Sequence, residues 1–249
     1  MNNLDHLSEN KYLRERTEPK PGDQFYLHLS DLLIAMKRVA TEDEVNLLDF
    51  GCGGSPYRSL FPNAEYKRAD IAGVDQLDYE IPLTSGPFRL DVSDSTFDLI
   101  LSSQVLEHVL HPEHYLDEAY RLLKPGGKLV ITTHGIFEDH SCPGDYHRWT
   151  DSGLTQLLKS RGFSINETWK ITTGPRAALF LFERFPLIPS STSVFRLFAI
   201  LWQQLVKNYR GWFHKECDRL TVKNRFHHEH LHRHRLYLGI GLVASKVNP

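Results

Sequence analysis

A short apolar run, Leu47-Leu48-Asp49-Phe50, stops at Gly51-Cys52-Gly53-Gly54-Ser55-Pro56-Tyr57. No other feature constrains the fold of this chain as tightly. The run reads as a buried strand, continuous in apolar residues with one acid near its end. The glycines that follow admit positive φ and carry no side chain, so the backbone turns sharply there and can approach a ligand closely. In an open α/β sheet that is the edge where ligands sit, beyond the carboxyl ends of the strands. The dinucleotide fingerprint would need a third glycine where Pro56 stands.

The remaining pattern agrees with such a sheet. Helical apolar spacing runs over 25–40, and strands are predicted over 45–50, 66–71, 77–81, 97–102, 128–133, 163–171 and 236–245. A helix across 116–123 ends at Lys124-Pro125-Gly126-Gly127, a cation followed by breakers, and a second spans 150–161 before Gly162. Strands alternating with helices imply a parallel sheet covered on both faces. Three segments are expected: a core with a helical N-terminal lead-in over 1–173, a helical insertion over 174–234, and the last strand within 235–249.

With 41% hydrophobic residues and a formal net charge of −2, the chain has no basic excess that would point to nucleic acid. Cys52, Cys142 and Cys217 show neither metal-type nor disulfide-type spacing, which fits a reducing cytoplasm. The polar stretch Met1 to Glu18 reads as neither signal peptide nor anchor.

Two further segments share the order and spacing of a known family. They are Phe97-Asp98-Leu99-Ile100-Leu101-Ser102-Ser103-Gln104-Val105-Leu106-Glu107-His108-Val109 and Leu122-Leu123-Lys124-Pro125-Gly126-Gly127-Lys128-Leu129. Together with the glycine turn, they resemble class I S-adenosylmethionine (SAM) methyltransferases across residues 45–135. The resemblance implies a Rossmann-like seven-stranded sheet with an antiparallel last strand, SAM as cofactor and S-adenosylhomocysteine as product. It implies that Asp49, Gly51, Cys52 and Gly53 line the amino-acid portion of SAM, that Asp70, with Ile71 beside it, takes the ribose, and that Ser103 lies near the sulfonium. A carboxylate suits a ribose diol because it only accepts hydrogen bonds while the diol offers two donors. The family's acid for the adenine amino group has no counterpart in register at Ser85-Gly86-Pro87-Phe88; Asp78, Glu80, Asp91 or backbone groups are the alternatives.

The segment from His134 through His140-Ser141-Cys142-Pro143-Gly144-Asp145-Tyr146-His147-Arg148-Trp149-Thr150 is similar to a subgroup found with cell-surface glycan or secondary-metabolite genes. The resemblance implies that this loop borders the acceptor. A hydroxyl acceptor must lose a proton, and histidine suits that task. His140 is the first candidate base, then His134 and His147; Asp145 would orient a histidine or hold a sugar hydroxyl, and Arg148 would pin the loop through Asp145 or a carbonyl. The expected reaction is O-methylation of a sugar, glycan precursor or other small hydroxyl compound without a catalytic metal. An RNA or protein methyltransferase is the alternative, although Ser102-Ser103-Gln104-Val105 stands where amino-directed enzymes carry Asn-Pro-Pro-Tyr. A non-catalytic SAM-binding protein is the other.

Structural readings compete at several of these places. Asp49 and Gly51 suit any tight strand–loop turn, and Asp70 any strand-end acid. Glu107 and His108 read as groups that cap or brace the helix after strand four. Thr150 or Asp151 would N-cap the next helix while Trp149 packs on the core. The cluster His227-His228-Glu229-His230-Leu231-His232-Arg233-His234 reads as a solvated edge rather than a metal site. Over 194–206, burial in a core or homodimer interface is the default, and a helix lying on a membrane surface is the sharper alternative.

Overall fold

The computed structural model describes residues 11–84, 86–140, 144–184, 193–221 and 236–247, with only the backbone of 193–196 and 199. The histidine cluster of 227–234 and Cys142 lie outside the described residues. The chain divides into two compact units, one from Met1–Ile34 and Thr172–Tyr237, the other from Ala35–Ile171 and Leu238–Pro249.

The second unit carries the sheet. In chain order the strands are β1 (Asn46–Phe50), β2 (Glu65–Asp70), β3 (Tyr79–Glu80), β4 (Phe97–Ser103), β5 (Leu123–His134), β6 (Phe163–Thr173) and β7 (Tyr237–Lys246). Their spatial order is β3-β2-β1-β4-β5-β7-β6. β1, β2, β3, β4 and β5 pair in parallel, and β7 runs antiparallel to β5, so the seven-stranded fold implied by the sequence is the one that forms. The central strands are buried on both faces, which is why they read as unbroken apolar runs rather than alternating ones.

Two local differences from the sequence reading have physical causes. The helix before β5 starts at Pro112, where the missing N–H costs nothing in a first turn, and runs to Leu122. Lys124-Pro125-Gly126-Gly127 then enters β5 directly instead of forming a separate turn. Phe97 pairs with Leu123 across a register shift, and the Lys124 ammonium holds both Asp98 carboxylate oxygens at 2.9 and 2.8 Å. β3 shortens to two residues at the sheet edge.

The helices are α1 (Tyr26–Arg38), α2 (Pro112–Leu122), α3 (Asp151–Ser160), α4 (Gly174–Arg184) and α5 (Ser193–Thr221). Tyr115 of α2 fastens the sheet where it matters for the site. Its ring stacks on Phe50 at 4.1 Å, and its hydroxyl donates to the Phe50 carbonyl at 2.7 Å and lies 2.9 Å from Ser102 Oγ. The ends of β1 and β4 are thereby clamped one residue before Gly51 and Ser103.

The first unit is organised by buried ion pairs. Arg176 of α4 donates to Asp31 at 2.8 Å and to Asp218 of α5 at 2.5 Å, and Tyr26 donates to the same Asp218. His214 lies 3.1 Å from Glu183 through Nε2, and its Nδ1 accepts from the Gly22 N–H at 3.0 Å. α5 also exposes Leu197, Leu201, Leu205 and Trp212. No helix among the described residues is long and apolar enough to cross a membrane.

Candidate active site

β1, β4 and β5 are parallel neighbours, so their carboxyl ends open onto one edge. The glycine turn leaves β1 there with Gly51 at φ +82° and Gly53 at φ +47°, a region that other residues enter only with strain. A Cβ at Gly51 would fall 2.5 Å from the Val105 methyls, so this close approach requires glycine. The turn is cross-linked to the end of β2. Asp70 Oδ2 accepts from the Gly53 N–H at 2.6 Å, and its Oδ1 accepts from the Ile71 N–H at 2.7 Å. Each oxygen keeps a further lone pair, so the carboxylate can still take a diol. Arg68 braces the far side, donating to the Gly53 carbonyl at 2.6 Å and to Ser55 Oγ at 2.9 Å.

Asp49 lies beneath this turn. Burial pushes its carboxyl up to about 6, although a 2.6 Å hydrogen bond from Tyr66 opposes the shift. Burial and then the neighbouring Asp49 carboxylate push the Cys52 thiol up to about 12, which leaves it an inert packing group. On β4, Ser103 Oγ lies 3.0 Å from Thr132 Oγ1, and the following Gln104 takes a left-handed φ of +58°. These groups suit SAM: a glycine turn open to close approach, a carboxylate for a diol and a buried acid for an ammonium.

A second group of side chains sits at the ends of β4 and β5. Glu107 is fully buried in the 3₁₀ turn that follows β4. Its Oε1 is 3.2 Å from His134 Nε2 and 3.9 Å from His108 Nε2, while its Oε2 accepts from Thr133 Oγ1 at 2.8 Å. The His140 ring meets those of His134 and His108 edge-on, with centroids 5.0 and 4.9 Å away. The backbone around this cluster is tied to it. Tyr146 and His147 donate their N–H groups to the Glu107 carbonyl at 2.8 and 3.2 Å, and Trp149 donates to the His134 carbonyl at 2.9 Å.

Of the candidate bases, His134 and His140 come together at one point, and His147 instead packs beside Trp149 at 5.1 Å between centroids. Asp145 accepts from the backbone N–H of His140 at 2.9 Å and from the two terminal guanidinium nitrogens of Arg148 at 2.5 Å. Those Arg148 hydrogen bonds hold the Asp145 carboxyl well below the usual carboxylate range, so it stays anionic. Arg148 also donates to the Phe137 and Glu138 carbonyls, and Thr150 N-caps α3 by accepting from Gly153 N–H at 3.1 Å. From the sequence, Glu107 and His108 read as helix-bracing groups ahead of a catalytic role, and the structure places both in this cluster. A usable signal was present: an adjacent charged and titratable pair, set among apolar residues, directly after a buried strand.

The family model of the methyltransferase domain matches residues 26–168, more than half of the chain. The chain belongs to the class I SAM-dependent methyltransferases. This methyltransferase is 34% identical over 104 residues to a ubiquinone biosynthesis O-methyltransferase of Cereibacter sphaeroides, a match covering 36% of the chain and 41% of the relative. A probable S-adenosylmethionine-dependent methyltransferase of Mycolicibacterium smegmatis is 23% identical over 174 residues, 64% of this chain and 68% of that one. The methyltransferase thus spans about two fifths of the length of the first of these relatives. Among solved structures, the Haemonchus contortus phosphoethanolamine N-methyltransferase 2 in complex with SAM superposes with a TM-score of 0.51 at 17% identity, covering 98% of this chain and 57% of that one. The [4+2]-cyclase SpnF superposes with a TM-score of 0.52 at 19% identity, covering 99% of this chain and 96% of that one. At such identities the likeness shows the fold alone.

Proposed function

We propose that this chain transfers the methyl group of SAM to a hydroxyl of a small molecule, with a sugar or glycan precursor as the first acceptor class. The observation that carries the reading is the Glu107–His134–His140 cluster on the same sheet edge as the glycine turn and Asp70. Methyl transfer to oxygen is an in-line displacement: the acceptor oxygen bonds to the methyl carbon, the carbon–sulfur bond breaks, and its electron pair leaves with sulfur as S-adenosylhomocysteine. What the enzyme adds is alignment, exclusion of water and a place for the hydroxyl proton. His140, whose side chain is 37% exposed, is the member of the cluster an acceptor can reach. His134 and the buried Glu107 stand behind it.

A hydroxylated aromatic acceptor is the second reading, favoured by the ubiquinone biosynthesis O-methyltransferase among the relatives. For the exposed apolar side chains of α5, a second copy of the chain and a membrane surface are the partners to test.

The test is calorimetry with SAM and S-adenosylhomocysteine, with Asp70→Ala alongside, followed by labelled-methyl transfer to nucleotide sugars, glycans and hydroxylated aromatics. Micromolar binding that Asp70→Ala abolishes, with transfer to a saccharide that His140→Ala removes, is the expected result. Transfer to RNA or protein and to no saccharide refutes the acceptor class. A folded protein that binds no SAM refutes catalysis and leaves a partner-binding role.

A further inference from the structure

The cluster at the ends of β4 and β5 has a geometry that proton transfer alone does not require. Glu107, His134 and His140 each bring one ligand-type atom to within 4.8 Å of those of the other two. His134 Nε2 and Glu107 Oε1 are 3.2 Å apart. Two ligands held ~2.0–2.1 Å from a tetrahedral zinc ion stand about 3.3 Å from each other, so this pair already has the spacing of a coordinated one. We infer that Glu107, His134 and His140 bind one divalent zinc-class cation at the acceptor end of the sheet.

The surroundings set the imidazoles for that task. A carbonyl can only accept, so His140 Nδ1, 3.2 Å from the Glu138 carbonyl, carries the hydrogen and leaves the Nε2 lone pair to a metal. His108 is set the same way: its Nδ1 donates to the Gly144 carbonyl at 2.5 Å, and its Nε2 faces Glu107 Oε1 at 3.9 Å. Histidines that ligate metals are held in this manner, through the other ring nitrogen. The carboxylate is held too, its second oxygen accepting from Thr133 at 2.8 Å. Two imidazoles with one carboxylate favour zinc or a neighbouring transition metal over magnesium or calcium, which prefer oxygen alone.

Three protein ligands leave a tetrahedral ion one open position. An acceptor hydroxyl placed there would ionise near neutral pH and release its proton to solvent rather than to His140. The ion's purpose therefore rests on the methyl-transfer reading, but its binding does not. This departs from the metal-free reaction expected from the sequence.

The test uses the full chain, stripped with chelator, dialysed and titrated with zinc chloride by calorimetry, with bound metal counted by mass spectrometry. Cobalt(II) supplies a second readout through the visible absorption of a tetrahedral site. Because the histidines of 227–234 are a second potential zinc sink, a His230→Ala/His232→Ala/His234→Ala variant is measured in parallel. The inference expects that variant to keep one tight equivalent. It expects His140→Ala and Glu107→Gln each to weaken that equivalent more than ~100-fold, since even the loss of a ligand's supporting partner costs about 10–100-fold. His140 is partly exposed, so its variant should stay folded, which circular dichroism and SAM calorimetry verify; it carries the test alone if Glu107→Gln unfolds. No stoichiometric zinc on the wild type, undiminished zinc on His140→Ala, or loss of all zinc from the triple variant overturns the site. Intact SAM binding and methyl transfer in the stripped protein would overturn the metal's catalytic part and leave the methyltransferase reading standing.

Discussion

At the scale of single residues, Asp49 makes the sharpest claim. Its carboxyl, held near 6 by burial against an ordinary value of 3.8, binds a proton more tightly in the folded chain than in the unfolded one. Alone, it therefore contributes stability that is present below about pH 3.8 and lost as pH rises through about 6. A bound ammonium reverses the preference by favouring the anion. SAM affinity should thus be level above about pH 7 and fall towards tenfold per unit of pH below 6, with a proton released on binding in the acidic range. Calorimetry in buffers of different ionisation enthalpy measures that proton, and Asp49→Asn should remove the pH dependence. A residue's chemical type was legible in the sequence here, but its charge was not. Asp49 and Asp145 are both aspartates on one edge; burial leaves the first hard to ionise, and Arg148 keeps the second anionic. Those surroundings come from residues remote in the chain, such as Tyr66 for Asp49. The surroundings of Glu107 were hidden for the same reason, because its partners His134 and Thr133 lie on β5.

At the scale of elements, periodicity located every strand, and what it mistook were joints. The Lys124-Pro125-Gly126-Gly127 stretch has the composition of a stop, yet the Asp98 carboxylate and the start of β4 recruit it into β5. Helices α4 and α5 lie between β6 and β7, and the ion pairs within their unit had no local signal in the sequence. Arg176 is buried between Asp31 and Asp218, and it also donates to Ser30 Oγ at 3.0 Å. Truncating one partner of such a pair costs about 3–5 kcal/mol, because the remaining charges stay buried. Arg176→Met should lower the unfolding free energy of this unit by that amount, read as a lower midpoint in urea. A triple replacement that also neutralises Asp31 and Asp218 should recover part of the loss. Equal destabilisation by Arg176→Met and by Lys215→Met, an exposed cation of α5, would contradict the account.

At the scale of the whole molecule, the sheet order β3-β2-β1-β4-β5-β7-β6 puts β1, β4 and β5 at the centre, where both faces are buried. Amide exchange should therefore be slowest in β1, β4 and the second half of β5, and fastest in the two-residue edge strand β3. Mass-spectrometric exchange of the intact protein reads this directly; comparable protection in β3 and β4 would mean that the centre is not the stable core. One feature of that centre reaches further. Thr133 and His134 are successive residues of a strand, so their side chains leave opposite faces, yet both contact the same Glu107 carboxylate. The carboxylate thus straddles the end of the strand, and it meets both residues where β5 lies in register with β4, Ser103 opposite Thr132. Were β5 to anneal one position out of place, the pair would change sides and the cluster would never assemble. A misaligned copy would therefore lack the arrangement of Glu107, His134 and Thr133 altogether.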